Sequence, residues 1–468
     1  MTVYKCTICD TLFDEAREDR RWDQLADDWV CSVCASGKSL WRPIDTDASP
    51  EASFPEDCGD ERITAIPEKS FDELETSMAD IRIMAETGHS IIEPMRTRKP
   101  GFSWDDILIM GAQLARQPLN PEEAVDTLTV IGPKAAHPLV IDTPVFITHM
   151  SFGALSREAK LALAQGSAAV HTAMCSGEGG ILPESMARAH KYIFEYVPNR
   201  YSVSEDNLQQ VDAVEIKIGQ SAKPGMGGHL PAEKVTPEIA ALRGFAEGVA
   251  IKSPARFDDI RNREDLKAKV DWLRKATGGK PVGIKLAAGH IEADLAVALY
   301  AAPDFITIDG RAGATGASPK FVKAAASVPT IFALYRARTY LDANGGGDIS
   351  LVITGGLRIS ADFAKALAMG ADAIAIGTAA LVAIGCRQFR VCNTGRCPTG
   401  IATQDPDLRA RLDVDAAARE LANYLRVSTA ELKDFARLTG KEDVHALALD
   451  DLCTTNSEIS RHTAIAHV

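Results

Sequence analysis

Two short cysteine pairs, Cys6-x2-Cys9 and Cys31-x2-Cys34, open the chain. Each is a knuckle in which backbone amides approach the sulfurs while both thiolates reach one tetrahedral metal, the ligand set of an iron-tetrathiolate or a zinc ribbon. Tyr4, Phe13, Trp29 and Trp41 would pack a dry aromatic shell around it, which favours an electron-carrying iron. Near the other end, Cys386-x5-Cys392-x4-Cys397 crowds three thiolates into one loop. Three sulfurs are one ligand short of a closed zinc site. They suit a cuboidal iron-sulfur cluster lacking one iron corner, or a four-iron cluster with its fourth ligand elsewhere.

Charged and glycine-rich positions add a second chemistry. Lys217, Gln220 and Lys223 stand at or just beyond the end of an apolar run, where they can pair with the carboxylates of a dicarboxylic acid, although solvated lysines are the plainer alternative. Lys285, between Ile284 and Leu286, would be costly to bury without an anionic partner. Gly355-Gly356 and Gly377-Thr378 each follow an apolar run, and backbone N–H groups there can converge on one phosphate. Glu178 either positions substrate or serves a helix cap or ion pair. His149 and His290 are candidate general acids, but a histidine at a strand end is more often simply hydrogen-bonded.

The elements that must position these groups alternate short apolar runs with amphipathic stretches, the pattern of parallel strands joined by crossover helices. Runs at 145–149, 169–175, 201–204, 211–218, 282–286, 305–308, 351–354 and 373–376 predict a closed α/β barrel, the TIM (β/α)8 fold. An open doubly wound sheet is the competitor, but no G-x-G-x-x-G follows the first run, and the late glycine pairs sit where barrels bind phosphate. The expected division is an iron-binding domain at 1–45, a linker with a helical extension at 46–99, the barrel with its cysteine loop at 100–425 and a helical tail at 426–468. The first of these is too small to fold on apolar burial alone and needs its metal.

The chain has 468 residues, 46% of them hydrophobic and 25% charged, with a net charge of -13, which opposes nucleic acid and anionic membranes as partners. No apolar segment reaches the ~20 residues of a membrane span, and no signal peptide is evident, so a cytoplasmic enzyme is expected.

Specific blocks carry a resemblance. Asp27-Asp28-Trp29-Val30-Cys31-Ser32-Val33-Cys34 closely resembles the second knuckle of rubredoxins. The run from Gly385 through Cys392-Asn393-Thr394-Gly395-Arg396-Cys397-Pro398 to Gln404 resembles the iron-sulfur loop of the glutamate synthase FMN domain, especially its compact archaeal-type form. That resemblance extends over about 100–408. It includes Met150-Ser151-Phe152-Gly153 and Ser176-Gly177-Glu178-Gly179-Gly180 as loops after the first two strands. Glu215-Ile216-Lys217-Ile218-Gly219-Gln220 resembles an oxoacid-binding stretch, and Asp309-Gly310-Arg311-Ala312-Gly313-Ala314-Thr315-Gly316 a flavin-side loop.

The resemblance implies three cofactors: FMN, a [3Fe-4S] cluster and a rubredoxin-type iron. It implies FMN contacts from Ser151, Gly310, Gly313 and Gly316. Lys285 would stand at the flavin N1 side, where a cation stabilises the anionic hydroquinone. The implied reaction joins a 2-oxo acid to ammonia or an amine and reduces the imine by hydride transfer. No nicotinamide fingerprint is visible, so an external rubredoxin or ferredoxin reductase is expected. No amidotransferase segment is visible either. Nitrogen would come from free ammonia, an alkylamine or a separate amidotransferase subunit, and a homo-oligomer is expected. An amine dehydrogenase running electrons outward, or an electron-transfer subunit without its own substrate, stay open at this point.

Overall fold

The computed structural model describes residues 2–6, 11–15, 20–26, 29–31, 37–44 and 72–468. Contacts divide the chain into two compact units, Met1–Ile92 and Glu93–Val468.

In the first unit Val3–Cys6 is the central strand of a three-stranded antiparallel sheet, between Leu12–Asp14 and Trp41–Ile44. So short a sheet cannot bury much aliphatic surface, and aromatic rings fill the gap. Trp22, which the expected shell omitted, lies at its centre, stacked on Tyr4 at 4.3 Å and edge-on to Phe13 at 5.3 Å and Trp29 at 5.6 Å. Cys6 and Cys31 are buried. Cys9, Cys34 and the tether expected after residue 45 lie outside the described residues, apart from its final stretch, which contains the helix Met78–Thr87.

The second unit is built on a closed barrel of eight parallel strands. These are β1 (Val145–Ile147), β2 (Ala173–Cys175), β3 (Lys191–Tyr196), β4 (Ala213–Lys217), β5 (Val282–Ala287), β6 (Phe305–Asp309), β7 (Ser350–Thr354) and β8 (Ala373–Ile376). Closure comes from β8 pairing with β1, Ile374 against Val145 and Ile376 against Ile147. Strands such as β7 and β8 are buried at every position, as a parallel strand covered on both faces must be.

One expected strand is wrong. Residues 201–204 form a connector, because Arg200 and Ser202 adopt left-handed φ values of 55° and 57° and Ser204 caps the helix Glu205–Gln210 through its hydroxyl. The third strand is instead Lys191–Tyr196. The second is shorter than expected, since Ala169 caps a helix and His171 has φ 50°.

The barrel's N-terminal end is closed by a hairpin, Thr129–Ile131 with Leu139–Ile141. Its Ile131, Leu139 and Ile141 pack with Phe146, Ile193, Phe305 and Val352. Only the opposite, C-terminal end remains for a site, as in other barrels of this architecture.

The expected boundary at 425/426 falls inside a single helix. Of the two helices that matter here, α1 (Arg157–Ala168) follows β1 and α2 (Val414–Leu438) runs across that boundary unbroken. The two pack closely because Gly166 has no side chain: a Cβ there would lie 2.8 Å from the Ala418 carbonyl oxygen and from Leu421. Nor is the remainder only helical. Leu452–Thr454 pairs antiparallel with Ile107–Ile109 and parallel with Ala466–His467, tying the chain's end to the segment that precedes the barrel. No helix among the described residues is long and apolar enough to cross a membrane. Gly166→Leu should wedge α2 from α1 and lower the denaturation midpoint by the equivalent of about 1–3 kcal/mol, read by chemical unfolding; an unchanged midpoint would refute this packing.

Candidate active site

Strand register alone assembles a charged ring. Glu195 on β3 pairs with Glu215 on β4, and Lys217 on β4 pairs with Lys285 on β5. Glu215 and Lys217 are two residues apart and so share one face of β4. All four are buried or nearly so, and each charge is answered by another. Lys217 Nζ lies 2.7 Å from Glu178 Oε2 and 3.9 Å from Glu195 Oε1, and Lys285 Nζ lies 3.8 Å from the same Glu195 oxygen.

The electrostatics follow from that pairing. Burial opposes the charge on Lys217, but Glu178 and Glu195 more than offset it and hold its pKa above the ordinary lysine value. Burial also opposes the Glu178 carboxylate, yet Lys217 and Lys223 bring it down to about 2. Lys285 is likewise raised against burial by Glu195 and Glu215. Lys223 is less well matched: burial pushes it down to about 8, and its ammonium donates to the Gly227 carbonyl at 2.9 Å.

His149, at the end of β1, accepts the Gly177 N–H at Nδ1 (3.2 Å), which places the ring proton on Nε2. That Nε2 is 3.0 Å from Glu215 Oε2, out of line for a hydrogen bond, and Glu195 Oε1 has no hydrogen-bond partner. His149, Glu195 and Glu215 are close enough to hold a cation, but the ammonium groups of Lys217 and Lys285 already face Glu195. His290 is exposed, stands at the start of the helix Ile291–Ala301 and leaves the site.

One cavity gathers most of the expected residues: Lys217, Gln220, Lys223, Glu178, Ser151, Lys285, Gly313, Gly316, Gly355, Gly356, Gly377, Thr378, Cys386, Cys392 and Cys397 all line it. Its roughly 1600 Å³ of space includes the open mouth. Gly310 is the exception and sits behind the wall. A Cβ on it would strike Thr330, and one on Gly355 (φ 111°) would lie 2.3 Å from the Gly310 carbonyl oxygen. The loops after β6 and β7 therefore meet backbone to backbone, which only glycine permits.

Two lysines that the sequence reading passed over complete the site. Lys160 on α1 is fully buried, and its ammonium donates to the carbonyls of Met150, Cys175 and Ser176 at 2.8–3.0 Å, fixing the ends of β1 and β2. Burial pushes its pKa down to about 7. The signal was a lone lysine in the apolar stretch around Leu161. Lys234 is also buried, donating to the Ala154 and Cys392 carbonyls, and is pushed down to about 8 by burial.

Burial and the two neighbouring thiols push Cys392 up to about 12. Cys386, Cys392 and Cys397 do not lie within 4.8 Å of one another.

The profile of a conserved region in glutamate synthase matches residues 108–442. The chain belongs to the glutamate synthase family. A glutamate synthase large subunit-like protein of Rhizobium meliloti is 38% identical over 412 residues, covering 84% of this chain and 93% of that protein. Two proteins named archaeal-type or archaeal glutamate synthase [NADPH] are similar as well. The Thermotoga maritima protein is 39% identical over 387 residues, covering 78% of this chain and 76% of its own. The Methanocaldococcus jannaschii protein is 38% identical over 399 residues, covering 79% and 78%. The glutamate synthase region contains every barrel strand and the cysteine loop and begins after the first compact unit.

Because the Glu178 pKa falls from the ordinary 4.5 to about 2 in the fold, its ionised form stabilises the fold fully above about pH 4.5, and that contribution is lost as pH falls toward 2. The stability gap between the wild type and Glu178→Gln in urea unfolding should therefore narrow between pH 6 and pH 3. A gap that stays constant would remove the ion pair as its cause.

Proposed function

We propose that the protein is an FMN-dependent oxidoreductase acting on CH–NH2 chemistry, which reduces the imine of a 2-oxo acid, 2-oxoglutarate with ammonia or an amine, to an amino acid. The observation that carries this reading is the convergence of the paired lysines, the glycine turns and the three cysteines on one cavity at the C-terminal end of the barrel. Kinship with proteins named glutamate synthase supports the reaction class.

The residues fit the flavin. Lys285 is a buried ammonium with no carboxylate closer than 3.8 Å among the described residues, suited to an anionic ring edge, and Gly355, Gly356 and Gly377 line the same cavity, where backbone N–H groups can meet a phosphate. Bound there, FMN would supply a hydride donor that can be recharged by single electrons. Lys217 and Lys223 bind and orient the carboxylates of the oxo acid, with Gln220 beside them. Glu178 neutralises Lys217 until the substrate carboxylate takes its place, so a charged site stays folded when empty. His149 and Glu215 hold the floor of the site against the substrate end of β4.

The cysteines fit iron. Cys386, Cys392 and Cys397 would hold an iron-sulfur cluster, for which [3Fe-4S] matches the ligand count, while Cys6, Cys9, Cys31 and Cys34 would hold a rubredoxin-type iron. Iron held by these cysteines would supply one-electron transfer, with an external rubredoxin or ferredoxin reductase as its electron source.

Anaerobic re-oxidation of the reduced flavin should require 2-oxoglutarate and ammonia together. Lys217→Gln should slow it at least a hundredfold with FMN retained; equal rates in the variant, or re-oxidation by neither compound, would reject the assignment. In the full chain, the double substitution Cys9→Ser with Cys34→Ser should remove one iron per chain and leave flavin and sulfide unchanged. Unaltered iron by metal analysis would exclude the N-terminal site.

A further inference from the structure

Lys234 is 3% exposed, a charge taken almost wholly out of water. A buried ammonium is tolerated when a carboxylate or a full set of acceptors answers it. Lys217 has Glu178, Lys323 has Glu93 at 2.8 Å, and Lys160 has three carbonyls for its three N–H groups. Lys234 has neither. Its ammonium donates to the carbonyls of Cys392 at 2.8 Å and Ala154 at 3.2 Å, and among the described residues no carboxylate lies within ion-pair distance. Two carbonyls leave one N–H and a whole positive charge unanswered.

The missing anion has an obvious source on the same side. The lysine's stem runs beneath the cysteine loop: a Cβ on Gly395 (φ 74°) would rest 3.5 Å from Lys234 Cγ and Cε. The ammonium therefore sits against the loop that presents Cys392 and Cys397, and both sulfurs act on it electrostatically. Arg390, the other cation near Cys392, turns its guanidinium toward the Pro94 and Arg96 carbonyls instead.

We propose that Lys234 is the built-in counter-charge of the three-cysteine centre and raises its reduction potential. This rests on the reading that these cysteines hold an iron-sulfur cluster. Accepting one electron converts one ferric equivalent to ferrous and makes the centre one unit more negative. A fixed cation at hydrogen-bond distance from a ligand's own carbonyl stabilises the reduced state more than the oxidised one. The charge also favours the Cys392 thiolate, which burial opposes.

The test uses the full chain purified without oxygen, with iron and sulfide counted first. A wild-type protein lacking sulfide would defeat the cluster reading itself, before any variant is made. With the cluster present, a redox titration with dithionite and mediators, followed by electron paramagnetic resonance, gives the potential. Lys234→Gln should shift the midpoint to more negative values at unchanged iron and sulfide, and Lys234→Arg should stay near the wild type. An unshifted midpoint in Lys234→Gln overturns the proposal. If Lys234→Gln holds no cluster while Lys234→Arg does, the charge requirement is upheld; equal loss in both would mean that shape matters and charge does not, and would overturn it.

Discussion

Charge buried without water must be answered by charge, and the C-terminal end of this barrel is organised around that requirement. Lys217, Lys285, Glu195 and Glu215 come together because parallel register fixes which residues are neighbours. Each lysine faces more than one carboxylate, so the buried charges are compensated as a group and not as isolated pairs. Glu178 joins this set from a loop, with its carboxylate 2.7 Å from the Lys217 ammonium.

The same requirement shapes the rest of the cavity wall. Lys160 spends all three of its donors on strand-end carbonyls and so converts a buried charge into a clamp between β1 and β2. The glycine contacts at Gly310 and Gly355 draw the loops after β6 and β7 together where side chains would hold them apart. Packing on the far side is equally strict. The hairpin under the barrel fills its N-terminal end with Ile131, Leu139 and Ile141, while the cavity opens at the C-terminal end.

One cavity collects a lysine pair, glycine turns and three thiols in a single wall. The segment between them is short. Lys223 donates to Gly227, a Cβ on Gly228 would strike the Glu178 carboxylate, and Lys234 reaches the Cys392 carbonyl. Lys223 and Lys234, which reaches the cysteine loop, are thus joined by about a dozen residues of continuous chain.

The sequence by itself determined the kinds of chemistry and the order of the strands. Cysteine spacing is local, so Cys386, Cys392 and Cys397 stood out as three thiols in one loop without any fold. Seven strand positions were legible because a doubly covered parallel strand is a near-continuous apolar run. Legibility failed where local signals compete. The stretch 201–204 is β-branched and aromatic like a strand, but the left-handed turns at Arg200 and Ser202 decide against it, and Lys191–Tyr196 was hidden by its own charged ends. Only the tertiary structure decided which lysines are answered by what. Burial and partnership depend on residues far apart in the chain, as between Lys217 and Glu178 or Lys234 and Cys392, and no spacing rule encodes them. It also decided that Gly310 supports the cavity from behind and that α2 runs through the supposed domain end, because both depend on what packs against a missing side chain.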